Sequence, residues 1–255
     1  MYDFSLMLTS TLQLPQHPWT RLGKKLESMC RKALHEFDLL SDCQSLAIAL
    51  SGGKDSLTLL FLMKAILGKG FSSAKLCAIH VSGEFSCGPS LQTRFIQNVC
   101  HQLDVPLTIC TSQQKKETLA CYRCSRERRR LIFDAAKKLG AQTIAFGHHR
   151  DDSVQTLLLN LLHKGEFAAN LAKVPMHDYG VTIIRPLIYI TEKDIVAFAK
   201  YYGFARISCQ CPVGQSSKRQ EVKNIVKILE ESFPNASQNL FLYSLKYGSK
   251  KALKN

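Results

Sequence analysis

Apolar positions arrive along the chain in two alternating rhythms. Short, nearly continuous apolar runs at Leu46–Leu50, Leu76–Val81, Pro106–Thr111, Gln142–His148 and Val181–Ile190 predict strands. Between and after them, apolar residues recur at helical spacing near 57–67, 90–103, 125–139, 151–163 and 192–202. Thr191 and Asp194 predict a capping box for the last of these. A leading helix is expected from Trp19 to Phe37, where apolar and basic residues alternate. Continuous apolar strands separated by helices imply an α/β fold: a parallel sheet with helices on both faces and ligands gathered at the strands' carboxyl ends. After Ile207 the rhythm stops, and CQCPVGQSSK leads into helices expected near 218–232 and 236–247. The organisation read from this is an N-terminal helical segment (1–40), an α/β domain (41–207), and a cysteine loop with an appended C-terminal helical segment (208–255) packed on the same domain.

Composition changes the picture in three places. Hydrophobic residues are 45% and charged residues 21% of the 255, which excludes a wholly disordered chain, and no apolar stretch is long enough to cross a bilayer. The N-terminus carries an early Asp3 and no basic leader, so a cytoplasmic location without membrane is expected. Lysine and arginine number 34 against 20 acidic residues, a formal charge of +14, which fits a polyanionic partner such as nucleic acid; a merely solvated basic surface is the alternative. Ten cysteines in a chain placed in a reducing compartment do not read as a disulfide scaffold, so spacing must decide which thiols are chemical.

The first predicted strand runs into Ser51-Gly-Gly-Lys-Asp-Ser56 and then a leucine-rich helix. Backbone N–H groups at a helix start lack partners and attract anions, which makes phosphate the expected ligand. Gly52 and Gly53 let the backbone approach it, Ser51 and Ser56 offer hydroxyls, Lys54 brings a charge and Asp55 is a candidate for Mg²⁺. The spacing matches neither the Walker nor the dinucleotide fingerprint. A serine-capped turn is the plainer reading.

A second loop of the same kind, Gly147-His148-His149-Arg150-Asp151-Asp152, follows the fourth predicted strand and opens another helix. One carboxylate suffices for a helix cap, and the second, beside two histidines, suits steering Mg²⁺ or a nucleotide. Cys121 and Cys124 begin a helix whose first turns hold Arg126, Arg128, Arg129 and Arg130, a setting that favours thiolate. With the distant pair Cys209 and Cys211, metal ligation is preferred over a redox dithiol. Cys30, Cys43, Cys77, Cys100 and Cys110 read as core fillers, Cys87 is held in reserve, and His80 has a weaker case at a strand end.

Taken together, SGGKDS, CYRCSRERRR, FGHHRDDSVQTLLLNLL and IIRPLIYITEKDI resemble the PP-loop ATP pyrophosphatases, and among them the tRNA 2-thiocytidine synthetase family (TtcA), over roughly residues 20–230. The resemblance implies a PP-loop ATP-binding domain and ATP-dependent replacement of an anticodon-loop cytidine's C2 oxygen by sulfur. It implies Mg²⁺ and a [4Fe–4S] cluster held by Cys121, Cys124 and Cys211, with Cys209 the other candidate for the third position. Catalytic roles fall to Lys54, Asp55, Asp151 and Asp152, and nucleotide binding to Ser51–Ser56, His148 and His149. RNA contacts fall to Arg126, Arg128, Arg129 and Arg130. The partners implied are tRNA and a sulfur donor such as a cysteine desulfurase, with a homodimer left open. The loop after the second strand, HVSGE, departs from the family pattern. Two rivals remain: a lysidine synthetase, in which an amine attacks the adenylated cytidine, and a non-catalytic RNA-binding protein with a closed four-cysteine zinc site.

Overall fold

A computed structural model gives the structure of the chain and describes residues 14–15, 19–83, 90–113, 121–204 and 218–248, with the side chains of 90–92 and 121–122 outside that description. Its elements, in chain order, are α1 (Arg21–Glu36), β1 (Ser45–Ala49), α2 (Lys54–Ile66), β2 (Lys75–Ser82), α3 (Ser90–Gln102), β3 (Leu107–Thr111), α4 (Cys121–Lys138), β4 (Thr143–Ala145) and α5 (Arg150–Lys164). Then follow β5 (Lys173–Met176), β6 (Val181–Ile184), α6 (Glu192–Tyr201), α7 (Lys218–Ser232) and α8 (Ala236–Tyr247).

The six strands form one sheet in the order β3-β2-β1-β4-β6-β5, parallel throughout except for the β5–β6 pair. Alternation along the strands divides the core. Leu46, Ile48, Ala78, Ala145 and Ile184 face one side, where α2, α3, α5 and α6 supply Leu57, Ile96, Val154 and Phe198. Ala47, Ala49, Ile79, Val81, Ile144 and Ile183 face the other, against Ile132, Phe133, Ala135 and Ala136 of α4. Residues Leu57 to Met63 of α2 are all buried, because this helix is wedged between the sheet, α1 and α6. α7 and α8 pack on α5 and on each other, with Val222 and Phe241 joining the larger core.

Two expectations are corrected. The apolar run Val181–Ile190 is not one strand: β6 stops at Ile184, because Pro186 has no N–H for the ladder. The chain instead turns, with bonds from Ile188 N to Arg185 O and Ile190 N to Leu187 O at 3.2 and 2.9 Å, and Leu187, Ile188 and Ile190 are apolar because this turn is buried. The sheet is also not wholly parallel. Lys173–Met176 adds an antiparallel edge strand, joined to β6 through a short 3₁₀ turn and Gly180 at φ 60°. Pro175 hides this strand from a sequence reading, and an edge is where a strand proline is tolerated.

The predicted capping box at α6 is present in one half: Thr191 Oγ1 accepts from Asp194 N at 3.1 Å, while the Asp194 carboxylate takes Lys25 Nζ at 2.8 Å. Among the described residues no helix is long and apolar enough to cross a membrane.

Candidate active site

The sheet order carries the site. Strands after β1 build outward on one side and strands from β4 onward build on the other, so the chain reverses direction between β1 and β4. Their carboxyl ends lie side by side, and a crevice opens at such a switch point. SGGKDS leaves β1 and GHHRDD leaves β4.

In the first loop Gly52 takes φ 82°, a conformation that glycine adopts without cost, and α2 begins at Lys54. Its first intrahelical bond runs from Leu57 N to Gly53 O at 3.1 Å, which leaves the N–H groups of Lys54, Asp55 and Ser56 without intrahelical acceptors. The two serines brace the loop. Ser56 Oγ donates to Gly53 O at 3.0 Å, accepts from Ser51 N at 3.2 Å and lies 3.0 Å from Ser51 Oγ. With that hydroxyl proton committed to Gly53, the donors for an anion are the backbone N–H groups and Lys54.

The second loop presses against the first. A Cβ on Gly147 would stand 2.9 Å from the Asp55 carbonyl carbon and 3.0 Å from Ser56 N, so only glycine allows this approach. His149, 4% exposed, is thereby set among three carboxylates: its Nε2 lies 3.3 Å from Asp152 and 3.7 Å from Asp55, and its Nδ1 3.6 Å from Asp151. Burial disfavours its charge, but the carboxylates outweigh that and raise its pKa. Burial works against ionisation of Asp151 and Asp152 too, and His149 with backbone donors wins, holding both below the usual carboxylate value.

Both aspartates also secure helix starts. Asp152 Oδ2 accepts from His149 N at 3.1 Å, and Asp151 Oδ2 accepts from Glu192 N at 2.8 Å, so the pair ties α5 to α6. His148 has the opposite character. Burial and the neighbouring Arg185 push its pKa down, and its Nδ1 accepts from Arg185 Nε at 3.3 Å while its ring stacks on Phe146.

Lys54 Nζ stands 3.1 Å from Asp55 Oδ1 and 3.5 Å from Glu192 Oε1. Burial opposes its charge, and those two acids more than compensate. The other Glu192 oxygen takes Lys223 Nζ of α7 at 2.7 Å, and Arg219 of α7 lies 3.6 Å from Asp152 Oδ1. Asp55 Oδ1 is buried and, despite that ionic contact, accepts no hydrogen bond from a described residue.

Cys121 and Cys124 sit one turn apart at the start of α4, and Cys124 is half-buried. As α4 follows β3, its N-terminus belongs to the same carboxyl edge as the two loops. Arg126, Arg129 and Arg130 are exposed on its first half and Arg128 is half-buried; the Arg128 charge reaches His80, and that of Arg129 reaches His148 and Arg185. Cys87, Cys209 and Cys211 lie outside the described residues. Cys30, Cys43 and Cys100 are buried as expected of core fillers, whereas Cys77 and Cys110 are half-buried. His80 is buried within β2, its Nδ1 2.8 Å from the Leu50 carbonyl just before the loop.

Arg185, Glu192 and Lys223 escaped the sequence reading of the site. Arg185 was signalled by its place directly after an apolar strand and Glu192 by its place in a first helical turn; nothing local marks Lys223.

Residues 22–226 match the model of the PP-loop domain family. A tRNA-cytidine(32) 2-sulfurtransferase of Syntrophotalea carbinolica is 33% identical over 231 residues, spanning 86% of this chain and 88% of that one. One from Nitrosospira multiformis is 32% identical over 235 residues, spanning 89% and 78%. Among solved structures, the U34-tRNA thiolase NcsA of Methanococcus maripaludis, determined with its [4Fe–4S] cluster, superposes with a TM-score of 0.69 at 24% identity over 86% of this chain and 76% of that one, a likeness of fold. The chain belongs to the PP-loop family and, within it, to the tRNA-cytidine(32) 2-sulfurtransferases.

Proposed function

We propose that the protein is an ATP-dependent tRNA sulfurtransferase that replaces the C2 oxygen of an anticodon-loop cytidine with sulfur, forming 2-thiocytidine. The observation that carries this reading is the convergence, at one sheet edge, of a phosphate-type loop, a carboxylate cluster and a CxxC at a helix start among arginines. The base carbonyl is a poor leaving group and must be activated. Its oxygen attacks the α-phosphorus of ATP, the bond to the bridging oxygen breaks, and pyrophosphate departs. The N–H groups opening α2 and the Lys54 ammonium hold that pyrophosphate. A hydrosulfide-level sulfur then attacks C2, gives up its proton, and AMP leaves with the original oxygen.

The donor set fits both inorganic groups. Asp55 Oδ1, buried and short of a hydrogen-bond donor, and the Asp151/Asp152 edge would hold Mg²⁺. That ion binds through one or two carboxylates plus phosphate oxygens and waters, so a preformed cage is not required, and among the described residues none is present. Bound Mg²⁺ neutralises charge on the departing phosphates. Cys121 and Cys124, at i and i+3 of one helix, would hold a [4Fe–4S] cluster with Cys211, or Cys209 in its place, as the third thiolate. Such a cluster supplies the place from which sulfur is delivered. The exposed arginines of α4 meet tRNA phosphates, and a sulfur donor such as a cysteine desulfurase completes the cycle.

The test is anaerobic turnover of purified protein with tRNA, Mg²⁺, ATP and sulfide, reading 2-thiocytidine by mass spectrometry of digested tRNA together with AMP. Equal yields of AMP and 2-thiocytidine are expected, with Lys54→Ala losing both and keeping its metal. Iron-free, zinc-loaded protein that makes neither product would overturn the reading, as would AMP formation accompanied by lysidine.

A further inference from the structure

Arg185 is the first residue after β6 and only 8% exposed. Its position is tightly specified. The backbone N–H bonds Ala172 O at 2.8 Å, Nε donates to His148 Nδ1 at 3.3 Å, and a terminal nitrogen donates to the Leu171 carbonyl. All of these partners are neutral. The carboxylate whose charge it feels, Asp152, gives one oxygen to His149 and the other to Arg219, and among the described residues no acid forms an ion pair with Arg185. Instead a second guanidinium, Arg129 of α4, is close enough to oppose its charge. A buried cation with no acid in ion-pair contact, opposed by another cation, is costly, and an anion between the two would relieve both.

Resting on the reading of the chain as a tRNA-modifying enzyme, we propose that Arg185 anchors a second phosphate site, separate from SGGKDS, which takes a phosphodiester of the substrate RNA beside the target nucleotide. The chemistry is that of a phosphate oxyanion, and ATP is the other source of one. Position favours RNA. SGGKDS stands at the end of β1 and already has Lys54 and the opening of α2, whereas Arg185 stands at the end of β6, with β4 between, about 10 Å across the sheet. Of the arginines that α4 exposes, Arg129 is the one whose charge reaches it, and Arg126 and Arg130 lie on the same half of that helix. An exposed row of cations follows a chain of phosphates, and a single buried guanidinium fixes one of them in register. His148 serves the site by staying neutral: its Nδ1 lone pair turns the guanidinium without competing for the anion.

The experiment compares wild type, Arg185→Gln and Arg185→Lys in full-length protein. It measures tRNA affinity across a salt series, ATP affinity without RNA, and thermal stability. R185Q is expected to bind tRNA about tenfold more weakly and to lose about one phosphate's worth of salt slope, roughly 0.7–0.9 in log K against log salt. ATP affinity should hold and the melting temperature should change little, because the bonds lost to the Leu171 carbonyl and His148 are offset by removal of a buried charge that no described acid pairs. R185K, which keeps the charge and loses the fork, should retain the slope while losing several-fold in affinity, and it decides the matter if R185Q does not fold. Reduced ATP affinity with an intact tRNA slope would assign the site to the nucleotide and overturn the proposal. Wild-type tRNA affinity in both variants, or a lowered melting temperature as their sole effect, would overturn it as well. Wild-type protein that binds no tRNA would sink the functional reading along with it, whereas normal wild-type binding and an unchanged R185Q slope sink the Arg185 assignment alone.

Discussion

Replacing Gly147 by alanine tests whether the two loops form one pre-set site. The added Cβ would lie 2.9 Å from the Asp55 carbonyl carbon, 3.0 Å from Ser56 N and 3.1 Å from Asp55 O. All three are backbone atoms, so no side chain can swing away. Ordinary contact begins near 3.4 Å, so GHHRDD and the opening of α2 must part by about half an ångström. Overpacking of this kind costs about 1–3 kcal/mol. A 1 Å error in catalytic geometry costs about 10²-fold in rate, so half that displacement corresponds to about tenfold.

Gly165→Ala supplies the control. Gly165 caps α5 with φ 64° and has open space around it, so alanine there brings about 1–2 kcal/mol of backbone strain and no clash. Urea unfolding and tRNA-dependent AMP formation are measured on both variants. The two should lose similar stability, and only Gly147→Ala should lose about tenfold in kcat/KM. Equal activities would refute the reasoning, because they would mean that the spacing between the loops does not set the chemistry.

His149 yields a pH prediction. Its folded pKa is raised, so the stability it contributes is fully present below the unfolded value near 6.5 and is lost as pH rises through the folded value. The urea midpoint of wild type relative to His149→Gln should therefore fall from pH 6.5 upward, and a flat difference would refute the ion cluster. For the third thiolate, Cys211→Ser is expected to lose iron, acid-labile sulfide and thiolation after anaerobic reconstitution, while Cys209→Ser keeps them. The reverse pattern moves the ligand to Cys209.

Much of this protein is written locally. Strand and helix periods, the glycines of SGGKDS, the paired aspartates and the CxxC each lie within a few consecutive residues, and a fold that repeats strand and helix sends such loops to one edge of a sheet. That is why β1 to β4 and the flanking helices were legible, along with most residues of the candidate site. What local pattern cannot carry is which distant segments meet. Pro186 ended an apolar run that periodicity alone extends to Ile190, and an edge strand containing Pro175 was invisible until β6 offered it a partner. The strand order placed β4 beside β1, and so put His149 among Asp55, Asp151 and Asp152. Packing of α6 and α7 brought Glu192 between Lys54 and Lys223, and the turn after β6 left Arg185 buried against His148. Residues far apart in the chain become neighbours only when burial of both sheet faces fixes the strand order, and that burial depends on the whole chain at once.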